Sequence, residues 1–87
     1  MALNFPNIAR SYDEAHKCVR FWGHDGAFEI SFFVDLDVLS KLQSMPRLDE
    51  ASILSAFDRW RSRIISVASA GYRGHRRNSY RLVAADF

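Results

Sequence analysis

Residues 18–34, which read CVRFWGHDGAFEISFFV, contain two runs of alternating residues on either side of His24-Asp25. A period of two is typical of a β-strand, because successive side chains point to opposite faces of a sheet. Aspartate followed by glycine between two such runs is a strong hairpin signal, because a type I′ turn needs positive φ at both central residues. The stretch therefore predicts a β-hairpin with Asp25-Gly26 as its loop.

The alternation also assigns the two faces of the hairpin. A His24-Asp25 loop, which shifts the pairing register by two residues, would leave this assignment unchanged, because only a one-residue slip exchanges the faces. We expect Gly23 to pair with Phe28, and Glu29 to form a cross-strand ion pair with Arg20. The face predicted to enter the core carries Val19, Phe21, Gly23, Phe28, Ile30 and Phe32. The opposite face carries Cys18, Arg20, Trp22, Glu29, Ser31 and Phe33.

Two helices are predicted after the hairpin. Asp35 is a favourable N-cap for a short helix that Pro46 ends, and Asp49 is a favourable N-cap for the next one. The second helix is predicted to run without a break to Gly71 or Gly74, since glycine readily takes the left-handed C-cap position. Its apolar residues recur at helical spacing over four turns: Ile53, Phe57, Trp60, Ile64 and Val67.

The other strands complete a predicted α+β fold. Residues 11–13 are a candidate first strand, and residues 79–85 read as a last strand, antiparallel to residues 28–34. We therefore expect one domain over residues 1–87. It is a small antiparallel β-sheet in β-β-β-α-α-β order, packed on one face by a short and a long helix.

The sheet face that carries Trp22 and Phe33 has no obvious cover in this arrangement. Either the N-terminal segment or a second copy of the chain could cover these two large side chains. Aromatic residues are enriched in interface cores, so the pair is a candidate homodimer interface.

Composition restricts the setting of the protein. Cys18 is the only cysteine, so an intramolecular disulfide is impossible and a reducing compartment is expected. The N-terminus lacks the basic and apolar regions of a secretory signal, and no apolar run approaches the ~18–20 residues that span a bilayer. We predict a cytoplasmic protein that does not enter the membrane.

The charge is distributed unevenly, and no carboxylate lies between Arg59 and Arg81. Arginine suits phosphate because its planar guanidinium binds two oxygens, and Tyr72 and Tyr80 could stack on exposed bases. The alternative is a structural or solvated role, since basic residues near a helix C-terminus are favoured by the helix dipole alone. The candidate anion or nucleic-acid contacts are Arg59, Arg63, Arg73, Arg76, Arg77 and Arg81.

No catalytic site is predicted. His24 and Asp25 are adjacent in an extended chain, so their side chains should point apart, and we read aspartate and glycine as turn residues beside a solvated histidine. Zinc spacing of the C-x₂₋₄-C or H-x₃₋₅-H type is absent from the sequence, so we expect no metal and no cofactor. Cys18 is interpreted as a small, partly buried side chain.

Several segments, taken in order, resemble one known family. They are NFPNIARSYD, CVRFWGHDGAFEISFFV, LSKLQ, DEASILSAFDRWRSRI and SYRLVAADF, and they span nearly the whole chain. The family is the domain-of-unknown-function 1488 group of small bacterial proteins. The resemblance implies a compact α+β domain of bacterial origin, and it implies no activity and no functional residue.

The function of the protein is therefore unknown from its sequence. The leading hypothesis is a non-enzymatic interaction module with an unknown partner, which could be a second copy of the chain. The alternative is weak, sequence-independent nucleic-acid or anion binding through residues 59–81.

Overall fold

The protein forms one four-stranded sheet with helices on one side. The computed structural model describes residues 3–6, 8–74 and 77–87. The strands are β1 (Arg10–Asp13), β2 (Cys18–Asp25), β3 (Phe28–Asp35) and β4 (Ser79–Leu82), and they lie in the order β1-β2-β3-β4. Helices α1 (Leu36–Leu42), α2 (Glu50–Arg59) and α3 (Arg61–Gly74) connect β3 to β4, and a short 3₁₀ helix covers Ala84–Asp86. The predicted α+β class is confirmed.

The hairpin faces are as predicted, but the register is shifted by two residues. Phe21 pairs with Phe32, and Asp25 pairs with Phe28, so the loop is Gly26-Ala27 rather than Asp25-Gly26. Gly26 has a φ of 63°, which fits a type II′ turn with glycine at its first central position. Phe28 therefore lies at the end of the ribbon, where it is 74% exposed, and it is not the residue that covers Gly23.

Gly23 is covered by the N-terminal segment. A Cβ atom at this position would lie 2.8 Å from Cε2 of Phe5, so only glycine leaves room for that ring. The Phe5 ring lies 5.9 Å from that of Phe21 and 5.5 Å from that of Phe32, between centroids. The N-terminal segment thus packs on the helical side of the sheet and not on the face of Trp22 and Phe33.

The predicted long helix is two helices. The backbone of Trp60 leaves the helical region, with φ −103° and ψ 12°, so α2 ends at Arg59 and α3 begins at Arg61. The indole Nε1–H of Trp60 donates to Oε1 of Gln43 over 2.7 Å, which ties the break to the segment after α1. The apolar stripe survives the break, because Phe57 and Ile64 are both fully buried.

Strand β4 is parallel to β3, so the sheet is mixed and the predicted antiparallel last strand is wrong. Two helices that each reverse the chain direction would return the chain antiparallel to β3. Three helices lie between β3 and β4, and together they form the crossover connection that parallel pairing requires.

The core lies between the sheet and the helices. Its largest fully buried side chains come from β2, β3 and all three helices: Phe21, Phe32, Leu39, Ile53, Phe57 and Ile64. Among residues 3–6, 8–74 and 77–87, no helix has the length and apolar character needed to cross a membrane.

Candidate binding surface on the open face of the sheet

One face of the sheet carries side chains that do not belong to the core. Trp22 and Phe33 lie on the two central strands and are absent from the core cluster that the helices complete. Strand pairing and the alternation of side chains define this surface, which we call the open face. Its members are Ser11, Asp13, Cys18, Arg20, Trp22, His24, Glu29, Ser31, Phe33, Asp35, Ser79 and Arg81.

The centre of the open face is one arginine stacked on two aromatic rings. The guanidinium carbon of Arg20 lies 5.0 Å from the centroid of Trp22 and 5.6 Å from that of Phe33. The same guanidinium donates a hydrogen bond to Oγ of Ser31 over 3.2 Å. These contacts replace the predicted ion pair with Glu29, which the register places opposite His24. We call Arg20, Trp22 and Phe33 the Arg20 stack.

The charges at one end of the open face compensate one another. A guanidinium nitrogen of Arg81 lies 2.5 Å from Oδ1 of Asp35 and also donates to the carbonyl oxygen of His16. The ring Nδ1 of His16 lies 2.8 Å from Oδ2 of Asp13, and hydrogen bonding from His16 lowers the pKa of that carboxyl. These contacts engage the charged groups at this end with one another, so they are less available to a ligand.

Cys18 lies beneath these pairs and is fully buried, more deeply than the sequence suggested. Burial raises the pKa of its thiol, so the nucleophilic thiolate form is disfavoured at neutral pH. Asp13, His16 and Cys18 border a pocket of about 230 Å³. Within the described part of the chain, no group of three histidine, cysteine or carboxylate side chains could hold a metal ion.

The open face as a whole is close to neutral. It carries two arginines against three carboxylates, and its two aromatic side chains lie between them. Nucleic-acid platforms combine stacking aromatics with a clear excess of positive charge along the backbone path. The open face therefore has the aromatic component of such a platform without the electrostatic one.

The predicted basic residues do not form one patch. Arg59 ends α2 while Arg63 and Arg73 lie in α3, so the break at Trp60 separates Arg59 from the other two, although all three side chains are exposed. Arg81 lies on the open face and is paired with Asp35.

The rest of the predicted basic cluster is engaged locally or lies outside the described residues. The guanidinium carbon of Arg77 lies 5.2 Å from the centroid of Tyr80, whose hydroxyl accepts the backbone N–H of Arg77 over 2.6 Å. Arg76 is outside the described residues. Tyr72 and Tyr80 are only 7% and 8% exposed, so the prediction that they stack on bases is wrong.

His24 and Asp25 do not act together. Both belong to β2, where His24 points to the open face and Asp25 to the helical side. Asp25 is 5% exposed, and its Oδ2 accepts a hydrogen bond of 2.5 Å from the hydroxyl of Tyr72. Its other oxygen, Oδ1, is buried and has no hydrogen-bond donor among the described residues. The reading of Asp25 as a turn residue is wrong, because Asp25 pairs with Phe28 in the strand. Its shared parity with Val19 and Phe21 is the signal that places it on the core face.

Comparison with known proteins agrees with the resemblance found in the sequence. Residues 3–83 match the model of a family described as "Protein of unknown function (DUF1488)". The fold is similar to the crystal structure of a protein of unknown function from the DUF1488 family of Shewanella loihica PV-4. That similarity has a TM-score of 0.81 and 16% sequence identity over 92% of this chain and 90% of that one. No curated protein matches the chain. Because the family match spans nearly every residue, the chain belongs to the DUF1488 family.

Proposed function

We propose that this protein is a non-enzymatic interaction module and that the open face is its binding surface. The observation that supports the proposal is the Arg20 stack. It places a tryptophan and a phenylalanine on the central strands, outside the core. Tryptophan, phenylalanine and arginine are enriched at protein interfaces, and tryptophan and arginine dominate binding hot spots. The contact with Ser31 holds the arginine in place before any partner binds, which reduces the entropy lost on association.

The dimensions of the open face limit the partner. Strands of eight residues at the centre and four at each edge give a footprint of about 400 Å² at usual strand spacing. A stable complex buries roughly 800 Å² on each side. A homodimer through this face alone would therefore be weak and concentration-dependent, and a tighter complex needs a partner that also contacts the rim of the sheet.

The proposal is tested by removing one aromatic side chain at a time. We expect Trp22→Ala to abolish self-association in sedimentation equilibrium and to abolish capture of partners from lysate, with unchanged circular dichroism. Phe28→Ala is the matched control, because Phe28 is an exposed aromatic residue at the hairpin end. If Trp22→Ala and wild type capture the same partners and self-associate equally, the open face is not the binding surface.

The alternative, weak binding of nucleic acid or another anion through residues 59–81, is favoured by the exposure of Arg59, Arg63 and Arg73. It predicts binding to single-stranded DNA and RNA that weakens steeply with salt, because phosphate contacts release counterions. Neutralising Arg63 and Arg73 to glutamine should remove most of that binding, whereas Trp22→Ala should leave it unchanged. If the binding does not depend on salt, or if no binding is detected at low salt, the alternative is excluded.

The setting proposed for this module is the bacterial cytoplasm. The structure that this chain resembles comes from Shewanella loihica PV-4. The thiol of Cys18 is buried and free, which suits a reducing compartment. Fractionation of cells that express the tagged protein tests this location, and recovery outside the cytoplasmic fraction would contradict it.

A further inference from the structure

A groove on the helical side of the molecule is separate from the open face. It lies between α2 and the segment that connects α1 to α2, and its volume is about 430 Å³. Small-molecule sites usually have volumes of roughly 300–1,000 Å³. Met45, Pro46 and Ala56 form its apolar lining. The groove is therefore large enough for a small organic molecule with a short apolar part.

The charged groups of the groove are cationic, and its other polar groups are one amide and three serine hydroxyls. Arg47, Arg59 and Gln43 all line it, and no carboxylate does. The indole N–H of Trp60 can only donate, so the Gln43 atom that it contacts over 2.7 Å is the amide oxygen Oε1. That contact leaves the amide NH₂ of Gln43 to donate elsewhere. The arrangement favours a ligand that accepts hydrogen bonds and carries negative charge.

The positive charge of Arg59 is not neutralised by its neighbours. The adjacent carboxylate, Asp58, accepts two hydrogen bonds from Arg10, at 2.9 Å and 2.7 Å, and lies 3.7 Å from Arg61. Within residues 3–6, 8–74 and 77–87, no ion pair joins Arg59 to a carboxylate. Its guanidinium is therefore available to an anion in the groove.

Arg47 forms no ion pair among the residues that the structure describes. It helps to lower the pKa of Asp49, after the larger effect of the hydrogen bonds from Ser52. The backbone N–H and the hydroxyl of Ser52 both donate to Asp49, which holds that carboxylate at the start of α2. The groove itself thus keeps two guanidinium groups and no lining carboxylate.

We propose that this groove binds a small organic anion. A phosphate or carboxylate head contacts Arg47, Arg59 and the amide of Gln43, and a short apolar body lies on Met45 and Pro46. Guanidinium groups suit both head groups because their planar N–H pairs match two oxygens. This site is independent of the interaction proposed for the open face, which lies on the other side of the sheet.

The two tryptophans provide the test. Trp60 donates to a groove residue, whereas Trp22 lies on the open face, so their indole N–H signals in ¹H–¹⁵N spectra report on the two surfaces separately. Titration with phenyl phosphate should shift the Trp60 signal saturably in the millimolar range and leave Trp22 in place. Inorganic phosphate should bind several-fold more weakly because it lacks an apolar body. Phenol, which lacks the anionic head, should cause no saturable shift of the Trp60 signal.

Substitutions then assign the head-group contacts. Arg59→Gln should weaken phenyl phosphate at least tenfold, the factor that corresponds to about 1.4 kcal/mol. Lys17→Gln is the control, because it removes one exposed positive charge that does not line the groove, and it should bind as wild type does. The proposal is overturned if phenyl phosphate does not shift the Trp60 signal, or if it shifts the Trp22 signal equally. It is also overturned if both variants lose the same affinity for phenyl phosphate, or if wild type binds inorganic phosphate as tightly as phenyl phosphate.

Discussion

The hydrogen bond between Tyr72 and Asp25 joins α3 to the end of the hairpin, and its loss should be measurable. The donor and acceptor oxygens are 2.5 Å apart, and both residues are buried. Tyr72→Phe removes the donor and leaves both carboxylate oxygens of Asp25 buried without one, because Oδ1 already lacks a donor. A hydrogen bond to a charged group contributes about 1.5–3 kcal/mol, so we expect the free energy of unfolding to fall by about 2 kcal/mol.

That loss is large for a domain of this size. Eighty-seven residues correspond to a total stability of roughly 4–13 kcal/mol, and each kcal/mol shifts the melting temperature by roughly 4–8 °C. Urea unfolding followed by tryptophan fluorescence gives the free energy, and a thermal melt by circular dichroism gives the shift. We expect the melting temperature of Tyr72→Phe to fall by about 8–16 °C.

A double-mutant cycle with Asp25→Asn isolates the part of this hydrogen bond that depends on the charge of the carboxylate. The amide oxygen of asparagine still accepts the bond but carries no charge, so Asp25→Asn alone should cost less than about 1 kcal/mol. In that background Tyr72→Phe should cost about half as much as in wild type. An equal cost of Tyr72→Phe in both backgrounds, or a cost below about 0.5 kcal/mol in wild type, would refute the reasoning.

Three further predictions concern other parts of the fold. Gly23→Ala should lower the free energy of unfolding by about 1–3 kcal/mol, because its Cβ would lie 2.8 Å from Phe5, and a Phe5→Ala background should reduce that cost in urea denaturation. The pKa of Asp13 is lower in the folded protein than in the unfolded chain, where it is about 3.9. The ionised carboxylate therefore stabilises the fold above that pH, and this stabilisation is lost as the pH falls through the pKa of the folded state. His16→Ala should therefore flatten the acid decline of the urea midpoint, and an unchanged profile would contradict this. Cys18 should react with a thiol reagent at pH 7 far more slowly in buffer than in urea, since it is buried and its pKa is raised, and equal rates would show that the thiol is accessible.

The sequence alone determined which side chains of the hairpin enter the core. The alternation of Val19, Phe21, Ile30 and Phe32 is a local property, and a shift of two residues does not change it. The starts of α1 and α2 are local for the same reason, since each helix follows an aspartate at its N-cap position. Asp49 accepts the N–H of Ser52, whereas the side chain of Asp35 forms no capping hydrogen bond within the described residues. The position of Trp22 and Phe33 on the face opposite the core also followed from the alternation of side chains.

The register and the helix break depended on contacts between distant residues. Tyr72, far along the chain, donates a buried hydrogen bond to Asp25, so Asp25 can lie inside the strand. The loop is therefore Gly26-Ala27 and not the predicted Asp25-Gly26. The break at Trp60 accompanies a hydrogen bond to Gln43, a residue that helical periodicity does not bring near it. No local pattern shows either contact.

The two proposed sites differ in the same way. The sequence predicted the aromatic residues of the open face, but only the tertiary structure showed that the N-terminal segment packs on the opposite side and that Arg20 stacks on both rings. The sequence predicted Arg59 as an anion contact but not Arg47, although both line the groove. No sequence pattern indicated that the connection after α1, which carries Arg47, lies beside α2. Alternation and capping are fixed by neighbouring residues, so the sequence determined them. The parallel strand, the buried carboxylate and the groove arise where distant segments meet, and only the folded chain decided them.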